Sequence, residues 1–205
     1  MSRVNPWKPL TEMRLPVRRL QWAGLFGLLL LFCLPCLAVS QESAKANPRK
    51  VEAAFLRNFT KYVTWPDHAF PDDHSPWQIC ILGSDPFGKI LEETFEGRTE
   101  QNRPVEIFRA DSLADLPSCQ IVFIAYKISA NRRAAIADLQ SRPVLTVGDA
   151  ADFLQEGGII RFDVTDHVEI SVNLDRARSV SLTIQTKMLE VSHEVVTNGA
   201  VRRRR

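Results

Sequence analysis

The sequence predicts an α/β fold: a sandwich with a mainly parallel sheet, extended by an antiparallel C-terminal hairpin, with helices on both faces. Short apolar runs alternate with helical segments between residues 51 and 154, and this alternation favours parallel pairing. Two β-rich runs, Ile159–Val164 and Val168–Leu174, are separated by three residues, a spacing that predicts an antiparallel hairpin. The 165 residues from 41 to 205 suffice for one domain with a substantial core.

The first forty residues predict an export signal. Arg14, Arg18 and Arg19 precede an apolar run over residues 22–37, and the small residues of Ala38–Ser40 follow it. A basic segment, a short apolar segment and a small-residue cleavage point together are typical of a secretory signal peptide. The apolar run is shorter than the roughly 20 residues that span a bilayer, although an uncleaved membrane anchor is the alternative. We therefore expect residues 1–40 to be removed and the mature chain to lie in the periplasm.

The charge of the mature chain argues against nucleic-acid binding. Residues 41–205 contain 21 Lys/Arg and 23 Asp/Glu, and four of those bases are Arg202–Arg205, whereas nucleic-acid-binding domains usually show a basic face. We expect a polar linker at 41–49, a domain over 50–197 and a basic disordered tail at 198–205. The tail could contact anionic headgroups or an acidic partner, although solvated terminal runs are commoner.

The first half of the domain is predicted to contain a helix, a strand and a second helix. Apolar residues recur at three- and four-residue spacing over Val51–Thr64, which predicts an amphipathic helix that ends before Pro66. The apolar run Trp77–Leu82 predicts a buried strand. Asp85 then suits the cap of a helix over Pro86–Phe95, because proline is favoured at the first helical position.

Further elements continue the alternation and end in a helical stretch that begins at Asp175. The expected strands are Val105–Phe108, Gln120–Ala125 and Val144–Val147, and the expected helices are Ser129–Leu139 and a short one over Asp149–Leu154.

Four cysteines fall into two pairs. Cys33 and Cys36 form a C-x-x-C motif, but they lie within the apolar run of the predicted signal peptide and are removed with it. Cys80 and Cys119 remain, and a disulfide between them would persist in an oxidising compartment. Closing this loop would stabilise the fold by about 4 kcal/mol in the chain-entropy model. Two reduced, buried thiols are the alternative.

A turn between the first strand and the second helix is a candidate ligand site. Ser84, Asp85 and Gly88 lie in the segment ICILGSDPFG, Ile79–Gly88, and a phosphate could bind free amide groups at such a helix start. The segment lacks both the dinucleotide-binding glycine spacing and the Lys-Ser/Thr of a P-loop. A tight turn capped by an aspartate explains the same residues.

No pattern in the sequence predicts catalysis. His68, Asp72, Asp73 and His74 share one loop, but their spacing is not that of a rigid metal site, and a solvated loop accounts for them. The chain has no G-x-S-x-G elbow, no H-E-x-x-H motif and no plausible Cys-His pair. We therefore expect no enzyme activity, no catalytic or metal-binding residues and no cofactor.

Several segments together resemble the YfiR family of periplasmic proteins. They follow the family's order along nearly all of the mature chain, and Cys80 and Cys119 fall where members often carry a cysteine pair. The segments are Ala53–Pro66, Ile79–Gly88, Arg142–Phe162 and Val168–Val191.

The resemblance implies a regulatory role. YfiR-like proteins bind the periplasmic sensor region of an inner-membrane diguanylate cyclase of the YfiN type and hold it inactive. Cyclic-di-GMP and biofilm formation then stay low until a YfiB-like outer-membrane lipoprotein draws the repressor away. A homodimer is a further assembly that the family implies. Some members are paired with histidine kinases, so a small-ligand receptor or a sensor subunit for such a kinase is the alternative function.

Five residues are candidates for contact with a partner. Arg57, Phe70 and Trp77 are predicted to lie where the fold does not require their burial. Thr183 and Gln185 occupy the segment in which family members commonly carry a basic or histidine residue. Neither position is charged in this chain.

Overall fold

The computed structural model describes residues 47–204. The predicted signal peptide, with Cys33 and Cys36, and most of the predicted linker lie outside these residues. Within them the chain forms five α-helices: α1 (Pro48–Tyr62), α2 (Ile90–Phe95), α3 (Ser129–Leu139), α4 (Leu174–Ser179) and α5 (Thr186–Val191). The strands are β1 (Val63–Thr64), β2 (Trp77–Leu82), β3 (Val105–Ala110), β4 (Ile121–Ile124), β5 (Leu145–Gly148), β6 (Ile160–Val164), β7 (Val168–Asn173), β8 (Thr183–Ile184), β9 (Glu194–Thr197) and β10 (Ala200–Arg203).

One eight-stranded sheet forms the centre of the domain, in the order β10-β9-β7-β6-β5-β4-β2-β3. Strands β3, β2, β4, β5 and β6 are parallel neighbours. Strands β6 and β7 form the predicted antiparallel hairpin, and β9 and β10 form a second hairpin at the sheet edge. The short strands β1 and β8 pair separately. The predicted fold class is confirmed.

Helices cover both faces of the sheet, because alternate side chains of a strand point to opposite sides. On one face, Ile79 and Ile81 of β2 pack in a core with residues of α1, α2 and α5. On the other face, Cys80 and Leu82 pack in a separate core with Ile136 and other residues of α3. The two cores give the sandwich its three layers.

Two predicted helices differ from the structure. Asp85 does not cap a helix at Pro86; its carboxylate accepts hydrogen bonds from the amides of Phe87 at 2.7 Å and Gly88 at 3.1 Å. This tight turn delays the start of α2 to Ile90. The predicted helix over 149–154 is also wrong, because residues 151–157 form turns.

The predicted disordered tail instead contains strand β10. Asn198 and Gly199 both have positive φ, 52° and 71°, as a two-residue hairpin turn requires. The Asp175 carboxylate accepts hydrogen bonds from both amides, at 2.8 and 2.9 Å, and these bonds lower the pKa of Asp175. The turn and its carboxylate cap therefore hold the terminal arginines against β9.

Candidate functional site

A cleft of about 450 Å³ lies at the amino-terminal end of β2. It is formed by the end of α1, strand β1, the loop before β2 and the residue after β8. Aromatic, cationic and acidic side chains all contribute to its walls, so it could bind a ligand that combines an apolar ring with charge. These residues include Lys61, Trp65, Asp67, Phe70, Asp72, Asp73, Trp77, Gln101, Arg103 and Gln185.

Three aromatic rings form one side of this cleft. Trp65 and Phe70 each meet Trp77 edge to face, with ring centroids 4.9 Å apart in both pairs. Trp77 is only 1% exposed, and its indole nitrogen donates a hydrogen bond to the Glu100 carbonyl at 3.0 Å. The prediction that burial of Trp77 is not required was wrong, because β2 lies between β3 and β4 in the sheet.

Arg103 fixes the loop that carries Phe70. Its guanidinium carbon lies 4.2 Å from the centroid of the Phe70 ring, within the range of a cation–π contact. Its Nη1 also donates to the carbonyl oxygens of Asp72 at 2.7 Å and Ser75 at 2.8 Å. Phe70 is therefore held in the cleft wall while one part of its surface remains accessible.

A buried ion-pair network lies close to the cleft. The side chain of Glu100 is 2% exposed and accepts a hydrogen bond from Nε of Arg57. Lys61 Nζ lies 3.6 Å from the second carboxylate oxygen. Arg57 therefore has a structural partner, and contact of Arg57 with another protein stays a prediction.

Gln185, the residue that follows strand β8, joins the cleft to the end of α1. The Gln185 amide donates to the Tyr62 carbonyl at 2.9 Å, and its side-chain Nε2 donates to the Lys61 carbonyl at 3.1 Å. Thr183 is exposed and pairs with Thr64 across the small sheet. The structure thus places Phe70, Trp77 and Gln185 together in the cleft lining, whereas Thr183 and Arg57 lie outside that lining.

Sequence reasoning missed the contribution of Gln101. Gln101 and Asn102 have φ of 52° and 62°, and they connect Glu100 to Arg103, which pair with each other. Gln101 Nε2 donates to the Thr60 carbonyl at 2.6 Å, so the turn is fixed to α1. Asn102, a residue type that tolerates positive φ, was the only local signal for this turn.

The predicted ligand turn lies at the opposite, carboxyl-terminal end of β2. Its amides at Phe87 and Gly88 already donate to Asp85, and Arg109 Nε donates to the same carboxylate at 2.7 Å. Ser84 and Gly88 are exposed. The Asp85 carboxylate occupies the amide groups that a phosphate would need. This arrangement favours the alternative explanation of the segment, a tight turn capped by an aspartate. Ligand binding by Ser84, Asp85 and Gly88 stays a prediction.

A second concave surface, the α1–α5 groove, has a volume of about 340 Å³. Its lining is mostly apolar, and Val191 at its end is 54% exposed. A surface that joins aromatic and aliphatic residues in this way is typical of a protein contact. The groove is lined by Phe55, Asn58, Phe59, Tyr62, Ile170, Lys187, Met188, Glu190 and Val191.

A disulfide joins Cys80 of β2 to Cys119, which precedes β4, with the two Cα atoms 6.1 Å apart. Both residues are buried, at 0% and 7% exposure. Because β2 and β4 are adjacent parallel strands, the bond links two central strands of the sheet on the face covered by α3.

Glu52 is a buried carboxylate on α1. Its Oε2 lies 2.6 Å from Arg49 Nη1, and the same arginine nitrogen lies 3.1 Å from Asp149. Glu52 Oε1 has no hydrogen-bond partner within residues 47–204. Burial raises the pKa of Glu52, although the arginine opposes that shift.

Among the described residues, no group of three or more histidine, cysteine, aspartate or glutamate side chains is placed to hold a metal ion. In the loop that contains His68 and His74, Asp72 instead accepts a hydrogen bond from the His74 amide at 2.7 Å. This bond lowers the pKa of Asp72.

None of the helices in residues 47–204 has both the length and the apolar character needed to cross a membrane.

The fold and its surfaces define a class, the α/β sandwich domain with a mixed cleft at one end of its sheet and an apolar groove between two helices. A family model described as YfiR/HmsC-like matches residues 49–193. The chain belongs to this family, which confirms the resemblance seen in its sequence. YfiR-like proteins are regulatory and act in the periplasm. A comparison with curated proteins found no match.

Proposed function

We propose that this chain is exported to the periplasm, where it binds and represses the sensor region of an inner-membrane diguanylate cyclase. Repression would lower cyclic-di-GMP and biofilm formation. The observation that carries the proposal is membership of the YfiR/HmsC-like family across residues 49–193. The basic and apolar character of residues 1–40 supports export by a cleaved signal peptide. A YfiB-like outer-membrane lipoprotein and a second copy of the chain are further proposed partners.

We assign the cyclase contact to the α1–α5 groove. Protein contacts depend on a few anchoring residues that become buried at the centre of the interface. Phe55 and Tyr62 offer partly exposed aromatic surface there, and Val191 adds an exposed aliphatic side chain. Lys187 and Glu190 supply the polar rim that is usual around an apolar interface centre.

Replacement of Val191 by aspartate is expected to weaken binding to the purified periplasmic region of the cyclase by about 30-fold, equivalent to about 2 kcal/mol, as for an interface hot spot. The reason is that a carboxylate at this position would be desolvated in the complex without a partner. Isothermal titration calorimetry gives the two dissociation constants directly.

Ile128→Asp is the matched control, because Ile128 is 63% exposed and lies outside the groove lining. Its binding should equal that of the wild type. Thermal unfolding of both variants verifies that they fold. Equal binding by Val191→Asp and wild type would show that the groove is not the contact surface.

The cleft favours a second function, a periplasmic small-ligand receptor or a sensor subunit paired with a histidine kinase. Its aromatic wall and charged rim have the composition of a site for a small polar aromatic molecule. A thermal-shift screen of amino acids and nucleotides tests this function. A ligand at 100 times its Kd should add about 2.7 kcal/mol of stability, and the gain should fall when Gln185 is replaced by alanine. A screen without any shift would exclude this function for the compounds used.

A further inference from the structure

The C-terminal strand places arginines at one edge of the large sheet. Strand β10 is the outermost strand on that side, and all four of its residues are exposed. Arg202 lies opposite Val195 of β9, whereas Arg203 lies opposite Glu194. Because alternate residues share a face, Arg202 and Arg204 project from the same side of the hairpin.

The arginines on this side are available for an external contact. Arg203 is bound to Glu194 at 2.5 Å, and Glu194 is only 9% exposed on its side chain. Arg202, in contrast, forms no ion pair within residues 47–204. Arg204 makes one long hydrogen bond, from Nη1 to the Val191 carbonyl at 3.5 Å. Neither Arg202 nor Arg204 is therefore neutralised by a carboxylate of the domain.

The hydrogen bond from Arg204 also identifies the neighbours of this edge. It places the guanidinium beside the end of α5, where Val191 is 54% exposed. Lys187 lies four residues earlier on the same helix and is exposed, so Lys187 and Val191 share a helix face. Exposed Glu190 lies beside Val191 on the same helix. The helix surface is therefore mixed in charge and belongs to the α1–α5 groove, whereas the sheet edge itself offers Arg202 and Arg204.

The charge of this edge is opposite to that of the remaining mature chain. Residues 41–201 contain 17 Lys/Arg and 23 Asp/Glu, a net charge of −6, and all of Arg202–Arg205 follow. A separation of this kind orients a protein in an electric field, with the arginine end toward negative charge. A bilayer rich in anionic phospholipid is such a field, and basic residues near its surface are attracted to it.

We propose that this edge docks on anionic phospholipid headgroups. Arg202 and Arg204 contact the phosphates. A row of arginines along a sheet edge matches a plane of many phosphates better than it matches one acidic side chain. The proposal shares with the proposed function only the expectation of export.

Sedimentation of the mature chain, residues 41–205, with lipid vesicles tests the proposal. We expect binding to vesicles of phosphatidylglycerol and phosphatidylethanolamine, weak binding to pure phosphatidylcholine, and a decline as salt increases. The double variant Arg202→Gln/Arg204→Gln should bind about 30-fold more weakly, because each arginine contributes about 1 kcal/mol near an anionic surface. Arg203 is left in place because it holds Glu194.

The control is Arg98→Gln/Arg142→Gln, which removes the same charge from two other exposed positions and should bind like the wild type. Equal loss in both double variants would overturn the proposal in favour of a general charge effect. Absence of sedimentation with phosphatidylglycerol at low salt would also overturn it, as would binding to polyglutamate but not to vesicles. No cyclase is present, so failure here is distinguishable from failure of the proposed function.

Discussion

Replacement of Cys80 and Cys119 by alanine is expected to lower the free energy of unfolding by about 4 kcal/mol. The two cysteines are separated by 39 positions, and a disulfide that closes a loop of this length restricts the unfolded chain considerably. The loss is a large fraction of the 5–15 kcal/mol typical of natural domains. The double variant should therefore unfold at a much lower urea concentration than the oxidised protein.

Urea denaturation of the oxidised protein, the reduced protein and the double variant measures this effect. The reduced protein serves as the control, because it lacks the crosslink but keeps both sulfur atoms in the core. Its unfolding free energy should lie close to that of the double variant. A difference below about 1 kcal/mol between oxidised and reduced protein would contradict the expected stabilisation.

Replacement of Arg132 by methionine is expected to lower the free energy of unfolding by about 3–5 kcal/mol, the usual cost of removing one partner from a buried ion pair. Arg132 is 5% exposed and binds Glu156 through two nitrogens, at 2.7 and 2.8 Å. The Glu156 side chain is 4% exposed. Without the arginine, this carboxylate would be buried beside only the distant Arg133, at 4.0 Å.

Two further variants separate the ion pair from general packing. Arg133→Met removes an exposed arginine and should cost less than about 1 kcal/mol, as surface pairs do. Arg132→Met/Glu156→Gln should be more stable than Arg132→Met alone, because no buried charge is left without its partner. If the unfolding free energy of Arg132→Met lies within about 1 kcal/mol of the wild-type value, the buried Arg132–Glu156 pair does not stabilise the fold as expected.

The regular elements with the clearest local patterns were predicted best. Strand Trp77–Leu82 and helix Ser129–Leu139 have the same bounds in sequence and structure, because a continuous apolar run and an alanine-rich segment each favour one conformation strongly. The start of α2 could not be predicted in this way. Asp85 is held in its turn by Arg109, which comes from β3, 24 residues further along the chain.

The second hairpin was missed although its turn has a sequence signal. Asn198-Gly199 is a strong indicator of a two-residue hairpin, but the strand that follows consists largely of arginine. A run of like charges normally indicates disorder. In the structure, pairing with β9 and the Arg203–Glu194 ion pair stabilise strand β10, which its local sequence does not favour.

The cleft could be predicted only in part, because its walls come from segments far apart in the chain. Phe70 and Gln185 were identified, and both line it. Trp77 also lines it, but as a buried support, since a central strand leaves little of a side chain exposed. The α1–α5 groove depends on the packing of Phe55 and Tyr62 near Met188, a tertiary relation that helical periodicity does not reveal.

Measurement of intracellular cyclic-di-GMP tests the central claim most directly. Deletion of the gene is predicted to raise the nucleotide, and expression of the full chain should restore the low level. Expression of residues 41–205 without the leader should not restore it, because that product stays in the cytoplasm. An unchanged cyclic-di-GMP level after deletion, with the cyclase present in the cell, would contradict the claim that this protein represses it.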